Sequence, residues 1–537
     1  MPSAHVWLMP ERQETGGREM DEYGVTMTAG GVGARSGERR GWPGKGEAES
    51  EVLVVGAGPT GLALACDLAR RGVRPLVVER SAGLFPGSRG KGIQPRTLEV
   101  FEDLGVLGAV LDRGGPAPVG MAWREGVRLG EHRMFEEIAP TEQEPFAEPW
   151  LVPQWATQEV LLARLQELGG GVSFGTALAG LAQDGEGVTA ELAGGGGAPR
   201  TVRVRYAVGA DGGRSTVRRL MGIRMTGERV DPVPLVVADV SIDSLDRDNW
   251  HMFPPAEDGS RGFAALCPLP HTGLFQFVGQ YRGGRAEPAE DEVRALIAGL
   301  THISAEDVGE VRWASDFTVS AALADRFREG RVFLAGDAAH IHSPAGGQGL
   351  NTSVQDAYNL GWKLAAVLRD GAPETLLDTY EQERRPQAAE MLGLSTRIHR
   401  GRDRRGAATR QLGIHLRESP LSRETRTGLP EGALVAGDRA PDGRRDGIRL
   451  FDLFRGPHFT LLAVGTDLPE EPPPLPHLRT ARIAPYAAYG RGLFLIRPDG
   501  HIAWAGLSAA DAEDLTDWAA RVATPTGRTT APAPTWP

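Results

Sequence analysis

The stretch from residue 51 to residue 79 constrains the fold more than any other part of the sequence. A short apolar run over 52–55 is followed at once by G-x-G-x-x-G at Gly56, Gly58 and Gly61, and then by apolar residues at helical spacing. A second apolar run ends at Glu79, 18 residues after Gly61. Strand, glycine turn, helix, strand and acid in this order are typical of a dinucleotide-binding βαβ unit. The pattern is compatible with FAD or with NAD(P).

A second glycine-rich stretch, residues 331–365, repeats the order of strand, loop and helix. An apolar run ends at Gly336 and Asp337, and a loop of small residues containing Pro344 leads into a helix predicted over about 351–368. Ligands of open α/β sheets bind at the carboxyl ends of the strands, so Asp337 is a candidate contact for a polyol. Glycines let the loop backbone approach a flat ligand, and a helix start offers free N–H groups. Taken alone, an ordinary strand–turn–helix connection is the alternative.

Three weaker signals lie between these stretches. Arg89 stands in a glycine-bearing loop before a helix predicted over about 94–104, where it either contacts phosphate or is simply solvated. Gln154 stands at the start of a helix predicted to end near residue 168, as a cofactor contact or as a cap. Asp211 follows a strand predicted over 201–208 and precedes a helix start that Ser215 could cap.

The residues from 232 to 281 are rich in strand-forming patterns, with strands predicted at 235–242, 262–266 and 274–280 and a helix at about 290–300. A sheet inserted between cofactor-binding segments is a natural wall for a substrate site. Its aromatic residues, at strand spacing, either line that site or form the core; they are Trp250, Phe253, Phe275, Phe277 and Tyr281. A basic segment reaching about residue 410 is interpreted as a solvated face; its arginines are Arg397, Arg400, Arg402, Arg404 and Arg405.

Composition limits the remaining possibilities. The 537 residues suffice for two or three domains, and a net charge of −11 argues against a nucleic-acid partner. Cys66 and Cys267 are the only cysteines, which predicts no disulfide framework, no clustered metal ligands and a reducing, cytoplasmic location. No apolar run is long enough to span a bilayer, so no membrane association is expected. Residues 1–48 are predicted to be a disordered extension, or to reflect a start before Met20 or Met27.

The motifs at Gly56, at Asp211 and at Asp337 occur in the order found in one enzyme family. Together they resemble the class A flavoprotein monooxygenases, the FAD-dependent aromatic hydroxylases of the para-hydroxybenzoate hydroxylase and phenol hydroxylase type. Within these, the sequence is most similar to the polyketide hydroxylases and rifampicin monooxygenase. The resemblance covers roughly residues 50–525. It implies an α/β fold, with a Rossmann-like FAD-binding domain, an interleaved β-sheet substrate domain and a C-terminal thioredoxin-like domain.

The resemblance also implies domain limits and cofactor contacts. The limits are a disordered extension 1–48, an FAD-binding domain 49–230 continued with a helical region at 321–428, a substrate sheet 231–320, a thioredoxin-like domain 429–525 and a disordered tail 526–537. Glu79 is expected on the adenosine ribose, Asp337 on the ribityl chain, and Asp211 near both FAD and NAD(P)H. Pro344 is expected beside the flavin edge where oxygen is activated. The full set of FAD contacts is Gly56, Gly58, Gly61, Glu79, Arg80, Arg89, Gln154, Asp211, Gly336, Asp337, Pro344, Gly346, Gly347, Gly349, Leu350 and Asn351.

The activity implied is hydroxylation of a phenolic, polyketide-like aromatic with O₂ and NAD(P)H, NADPH being favoured, through a flavin C4a-hydroperoxide. In such chemistry the flavin reacts, while the protein supplies position and a dry site. No general base is assigned, because His340 and His342, beside the loop, are interpreted as structural. The sequence departs from the family in two details: Gly90 replaces a common alanine and Gln158 a common acid. A monomer or a homodimer is expected, without a metal.

Other activities stay open to different degrees. Baeyer–Villiger oxygenation on the same scaffold is one alternative, and a flavin-binding protein without oxygenase activity is another. A flavin-dependent halogenase is disfavoured because no tryptophan is followed two residues later by a second one. Thiol–disulfide exchange by the C-terminal domain is disfavoured because the sequence has no Cys-x-x-Cys.

Overall fold

The computed structural model describes residues 50–194, 198–231, 233–281 and 288–523. The predicted extension 1–48, the tail 526–537 and most of a turn predicted over 194–197 lie outside the described residues. Within the described part of the chain, no helix combines the length and the apolar character that crossing a bilayer requires.

The first part of the chain alternates short strands and helices. The predicted strands and helices around the first glycine turn are confirmed, and the strand predicted over 201–208 is divided at Arg205. The elements are β1 (Val52–Val55), α1 (Pro59–Arg70), β2 (Pro75–Val78), β3 (Gly92–Ile93), α2 (Pro95–Leu104), α3 (Leu107–Asp112), β4 (Gly115–Pro116), β5 (Val119–Arg124), β6 (Val127–His132), β7 (Trp150–Leu151), α4 (Gln154–Glu167), β8 (Val172–Ser173), β9 (Thr176–Gln183), β10 (Val188–Gly194), β11 (Arg200–Val204), β12 (Tyr206–Gly209), α5 (Thr216–Leu220) and β13 (Met225–Arg229).

The rest of the described chain holds the inserted sheet, two long helices and the C-terminal domain. The first group of elements is β14 (Leu235–Ile242), β15 (Asn249–Phe253), β16 (Ala264–Pro268), β17 (Leu274–Gln280), α6 (Glu290–Leu300), β18 (Val308–Phe317), β19 (Ser320–Ala324), β20 (Arg328–Glu329), β21 (Val332–Leu334), β22 (His340–Ile341), α7 (Gly349–Arg369) and α8 (Asp378–His399). The C-terminal elements are β23 (Arg423–Glu424), β24 (Arg444–Arg445), β25 (Ile448–Arg449), α9 (Leu450–Phe454), β26 (Phe459–Val464), β27 (Leu478–Ile483), β28 (Gly492–Ile496), β29 (Ile502–Gly506) and α10 (Ala512–Ala519).

A six-stranded sheet positions the motifs. Its order is β20-β21-β12-β1-β2-β8, parallel except for the edge strand β20. β1, β12 and β21 are buried along their whole length, as strands covered by helices on both faces must be. Because β21, β12, β1 and β2 are neighbours and parallel, the residues that follow them meet at one edge.

A seven-stranded sheet in the order β18-β14-β17-β16-β15-β5-β6 forms the inserted domain. One face packs on α6 through apolar side chains such as Val240, Phe275 and Ile297. Side chains alternate along a strand, so Asp239, between Val240 and Ala238, lies on the opposite face with its cross-strand neighbour Gln276. Two of the seven strands, β5 and β6, come from residues before the predicted limit at 231, and the domain limits stay a prediction.

The C-terminal domain is a five-stranded sheet in the order β23-β29-β28-β26-β27, with α9 and α10. Two ion pairs connect it to α2: Arg439 donates to both oxygens of Glu99 in a buried pair, and Arg449 pairs with Glu102 in a partly buried one. The predicted α/β class, with a Rossmann-like domain and an interleaved sheet, is confirmed. The thioredoxin-like description of this last domain stays a prediction.

Candidate functional site

The predicted motif residues come together at the carboxyl edge of the six-stranded sheet. Gly56 follows β1, Glu79 follows β2, Asp211 follows β12 and Asp337 follows β21. In the strand order these positions stand side by side. These four positions therefore lie next to one another at one edge of the sheet, and their role as cofactor contacts stays a prediction.

The glycine turn between β1 and α1 has the close packing and the open space that a phosphate cradle needs. A Cβ atom at Gly61 would lie 2.0 Å from the carbonyl oxygen of Gly56, so only glycine lets the helix rest on the strand. Gly58, in contrast, faces open space, where a Cβ would meet nothing within 4 Å. It is the N-cap of α1, which has no capping side chain and no acid in its first turn. The N–H groups there suit an anion.

Two of the carboxylates at this edge organise backbone. Glu79 accepts hydrogen bonds from the N–H groups of Ala57 (3.0 Å) and Ser81 (2.9 Å), so it fixes the glycine turn. Asp211 accepts from the N–H groups of Thr216 (2.6 Å) and Val217 (3.2 Å) at the start of α5. The predicted cap is confirmed, since the Ser215 hydroxyl accepts from the N–H of Arg218 at 3.0 Å.

Asp337 is placed differently from these two acids. Its side chain is exposed, while Gly336 and Ala338 on either side of it are buried. The surrounding protein raises the pKa of the Asp337 carboxyl by desolvation, and His340 and Arg89 oppose that rise. An exposed acceptor in otherwise buried surroundings is suited to the hydroxyls of a ligand.

The loop before α7 is held by side chains rather than by its glycines. Asn351, fully buried, accepts from the N–H of Gln94 (2.8 Å) and donates to the carbonyl oxygens of Gly92 (2.9 Å) and Gly347 (2.8 Å). Its side chain thus joins three backbone segments. Gly347 has a φ of +64° and is exposed with Pro344, so this backbone faces outward from the loop.

The remaining predicted contacts follow β2 or β21, stand at the starts of α4 and α7, or lie in the loop before α7. Gln154 accepts from the N–H of Gly90 at 3.0 Å, and a Cβ atom at Gly90 would lie 3.3 Å from the side chain of Leu350. Arg89 donates to Ser315 of the inserted sheet at 3.1 Å and lies over the rings of Phe85 and Trp313. The other four are Gly336 (φ +63°), buried Gly346, half-buried Gly349 and exposed Arg80.

Behind the loop lies a buried chain of polar contacts. His342 Nε2 lies 2.9 Å from His340 Nδ1, and His340 Nε2 lies 2.5 Å from Asp356, which also accepts from Arg384 at 2.9 Å. Although burial alone would raise it, His340 and Arg384 hold the pKa of Asp356 low. Desolvation, with His340, lowers the pKa of His342 to about 3, so that ring stays neutral. The structural interpretation of both histidines agrees with these contacts.

Sequence reasoning missed a group of polar residues between the inserted sheet and this loop. We call it the Lys91 cluster; its members are Lys91, Asp239, Trp250, Gln276 and Arg405. Gln276 bridges the cofactor loop and the sheet, because its amide accepts from Lys91 and donates to the carbonyl of Ser88. The ammonium of Lys91 lies 4.3 Å from the centre of the Trp250 ring. A signal was present: Asp239 is the one charge inside the strand LVVADVSI.

The prediction that the basic segment forms a solvated face is wrong for Arg405. Arg397, Arg400, Arg402 and Arg404 are exposed, as expected of a solvated face. Arg405 is instead half-buried: it donates to the carbonyl of Ala345 at 2.8 Å and lies 5.7 Å from the centre of the Trp250 ring.

The aromatic residues of the inserted sheet divide between its two faces. Phe253, Phe275, Phe277 and Tyr281 belong to the core on the α6 side, and Trp250 does not. The alternation of side chains along a strand explains this division.

The geometry fits FAD. The open space at Gly58, the uncapped starts of α1 and α7 and the exposed carboxylate of Asp337 supply donors for phosphate and an acceptor for a polyol. A family model described as an FAD binding domain matches residues 49–395. A second, described as the C-terminal domain of aromatic-ring hydroxylases, matches residues 433–525.

Individual relatives agree with these matches. A flavin-dependent monooxygenase of Mycobacteroides abscessus is 42% identical over 88% of this chain and 99% of its own length. A 12-dehydrotetracycline 5-monooxygenase/anhydrotetracycline 6-monooxygenase of Streptomyces rimosus is 37% identical over 87% of this chain and 97% of its own. Among solved structures, aklavinone-11 hydroxylase in complex with FAD and aklavinone is 30% identical, with a TM-score of 0.74 over 89% of this chain and 99% of that one.

Proposed function

This chain belongs to the FAD-dependent aromatic-ring hydroxylases, and from that membership we propose that it hydroxylates a polycyclic phenol of polyketide type with O₂ and NAD(P)H, NADPH being preferred. It is a flavin-dependent monooxygenase by family, and FAD is its cofactor. One contact carries the proposal: Arg405 joins Trp250 of the inserted sheet to Ala345 in the loop beside Asp337. A substrate on that sheet face would thus lie next to the cofactor edge.

When bound, FAD would supply hydride acceptance from NAD(P)H and oxygen transfer through the C4a-hydroperoxide. The chain's own residues would bind and orient it. In this proposal the start of α1 at Gly58 holds the pyrophosphate, Glu79 the adenosine ribose and Asp337 the ribityl chain. The start of α7 would stabilise negative charge on the reduced ring. The domain limits and the full set of FAD contacts given above are part of the same proposal.

The polyketide class is supported by the relatives. The names of two of them refer to tetracycline intermediates and to aklavinone. The inserted sheet adds a local argument, since its face toward the cofactor loop carries Trp250, and the cations Lys91 and Arg405 of neighbouring segments lie against that ring. An electron-rich ring is attracted to cations, which favours a phenol.

The test is anaerobic reduction of the FAD-loaded protein. NADPH is added with and without a panel of polycyclic phenols, flavin bleaching is followed, and products formed under ¹⁸O₂ are then analysed. We expect one phenol to accelerate bleaching and to gain one labelled oxygen on its ring. A flavin that NADPH and NADH never reduce, whichever phenol is present, would overturn the proposal. So would insertion of the oxygen next to a carbonyl instead of on the ring.

Asp337→Ala tests the cofactor site itself, with Asp325→Ala as the matched control. Asp325 is a half-buried acid in a nearby segment that bonds Arg224 and Thr226 instead of facing the site. We expect the dissociation constant of FAD to rise at least tenfold in the first variant and to stay unchanged in the second, as measured by flavin fluorescence. Equal effects would contradict the assignment of Asp337.

A further inference from the structure

The Lys91 cluster holds two cations that no described carboxylate pairs with. Within the described residues, no ion pair reaches Lys91 or Arg405; their hydrogen bonds go to the neutral oxygens of Gln276 and Ala345. Both stand against one ring, with the Lys91 ammonium 4.3 Å and the Arg405 guanidinium carbon 5.7 Å from the centre of Trp250. Burial lowers the pKa of each, because the charged forms lose water. Two desolvated cations beside an aromatic face can bind an anion, because no described carboxylate already neutralises them.

Asp239 is the buried carboxyl of the same cluster. Its exposed fraction is 0%, and neither of its oxygens has a hydrogen-bond partner of acceptable geometry among the described residues. Gln276, which holds Lys91, is its direct neighbour across the strands. Desolvation raises the pKa of Asp239 to about 6, while the nearby Ser88, Lys91 and Arg312 oppose the rise. A carboxyl in this state can hold a proton near neutral pH.

We propose that Lys91 and Arg405 bind the ionised ring hydroxyl of an acidic aromatic substrate against Trp250, and that Asp239 takes up the proton which that hydroxyl loses. The ring O–H bond breaks, its electron pair stays on the oxygen beside the two cations, and the proton ends on the Asp239 carboxylate. The net charge of the cluster and ligand is thereby unchanged. Asp239 is the proton acceptor in this scheme, whereas Lys91 and Arg405 position the ionised oxygen. The inference rests on the proposed function, whose substrate it makes more specific.

The other charged groups around the cluster are compatible with this scheme. Burial raises the pKa of Cys267, which keeps that thiol neutral beside the two cations. Glu136, exposed, reaches Gly406 next to Arg405 but forms no ion pair with it. The charged or titratable groups that face Lys91, Asp239 or Cys267 are Arg247, Cys267, Arg312 and Arg405, with Lys91 and Asp239 facing each other.

Binding of a coloured phenol tests the proposal without turnover. The probe is alizarin, a polycyclic phenol that changes from yellow to red when a ring hydroxyl ionises, added to the oxidised, FAD-loaded protein. We expect bound alizarin to ionise at least one pH unit below free alizarin. Lys91→Gln and Arg405→Gln should each weaken binding at least tenfold and abolish this shift, while Arg404→Gln, at the exposed neighbouring arginine, should change neither.

Proton counting tests the role of Asp239. Near pH 7, where free alizarin is already largely ionised, we expect its binding to wild-type protein to take up close to one proton on the Asp239 carboxylate, and its binding to Asp239→Asn to take up almost none. Heats of binding in buffers of different ionisation enthalpy measure this uptake. Lys91→Arg, which keeps a cation, should restore part of the colour shift. Retention of FAD and a single cooperative thermal unfolding transition would show that each variant is folded.

Three outcomes would overturn the inference. These are bound alizarin that ionises like free alizarin, an Arg404→Gln effect equal to that of Arg405→Gln, and equal proton uptake by wild-type and Asp239→Asn protein. Strong binding of anthraquinone-2-carboxylate without binding of alizarin would also contradict an ionised hydroxyl as the ligand. The proposed hydroxylation fails separately, because it depends on flavin reduction by NADPH and on ring oxygenation, neither of which the dye measurement uses.

Discussion

Two clusters of charge in this protein, the first almost fully buried and the second partly buried, differ in whether their charges are paired. In the first, which we call the Lys363 cluster, Lys363 and Arg497 donate to Glu383 at 2.6–2.9 Å, and Arg497 also donates to Asp499 at 3.0 Å. Two cations thus meet two anions, and all four side chains are almost fully buried. In the Lys91 cluster neither Lys91 nor Arg405 forms an ion pair with a described carboxylate, and Asp239, which lies near Lys91, bonds neither of them. Paired charges hold elements together, whereas unpaired ones keep capacity for a ligand.

The largest expected difference between the two clusters is in the stability lost when the lysine of each is replaced by methionine. Lys363→Met leaves the buried Glu383 with one cation fewer, and we expect it to lower the free energy of unfolding by about 3 kcal/mol, since breaking a buried pair exposes the cost of the remaining charge. Lys91→Met breaks no ion pair with a described carboxylate but leaves the buried amide oxygen of Gln276 without its donor, so we expect it to lower the free energy of unfolding by only about 1 kcal/mol. Urea unfolding of the FAD-loaded proteins measures both. Equal losses would mean that the two clusters do not differ as described.

Asp239→Asn should raise the free energy of unfolding, whereas the two lysine substitutions lower it. The pKa of Asp239 is raised to about 6 in the folded protein, so the native state binds the proton more tightly than the unfolded chain, whose aspartates titrate near pH 4. The carboxyl therefore destabilises the fold progressively as pH rises from about 4 to about 6, and fully above that range. We expect the variant to be more stable than wild type at pH 8, by up to about 3 kcal/mol, and equally stable near pH 4. A variant destabilised by the same amount at both pH values would contradict an unpaired carboxyl at this position.

Breaking a surface ion pair should change the free energy of unfolding least, and it serves as the reference for the substitutions in the two clusters. Arg113 and Glu159 form a salt bridge with 44% and 47% of their side chains exposed. Because water screens such a pair, Arg113→Gln should change the free energy of unfolding by less than about 0.5 kcal/mol. The same urea titration applies, and a loss comparable to that of Lys363→Met would show that burial is not what separates these pairs.

The cofactor edge could be predicted from the sequence because its signals are local. The glycine turn, Glu79, Asp211 and Asp337 each follow a short apolar run, and parallel strands bring such positions to one edge. The resemblance to a known family then supplied the cofactor and the second domain. The same local reasoning placed Gln154 and Ser215 at helix starts, where the structure has them.

The Lys91 cluster could not be predicted in this way. Its members come from a loop, from three strands and from the segment after α8, and no spacing along the chain relates Lys91 to Arg405. Arg405 was grouped with exposed arginines because nothing in the sequence of a basic segment distinguishes the one arginine whose side chain is partly buried. Likewise, β5 and β6 join the inserted sheet through parallel pairing with β15, a contact between residues 119–122 and 249–252 that local pattern does not reveal.

The ion pairs between the C-terminal domain and α2 have a consequence for engineering. Glu99 and Glu102 stand on the helix that follows the cofactor loop, and their partners Arg439 and Arg449 stand in the last domain. A chimera that takes this domain from a related enzyme must therefore take a compatible α2 as well. Otherwise Glu99 and Glu102 would lose their arginine partners at the interface between α2 and the domain. Domain exchange in this family is better planned as the transplant of two matched segments than of one independent module.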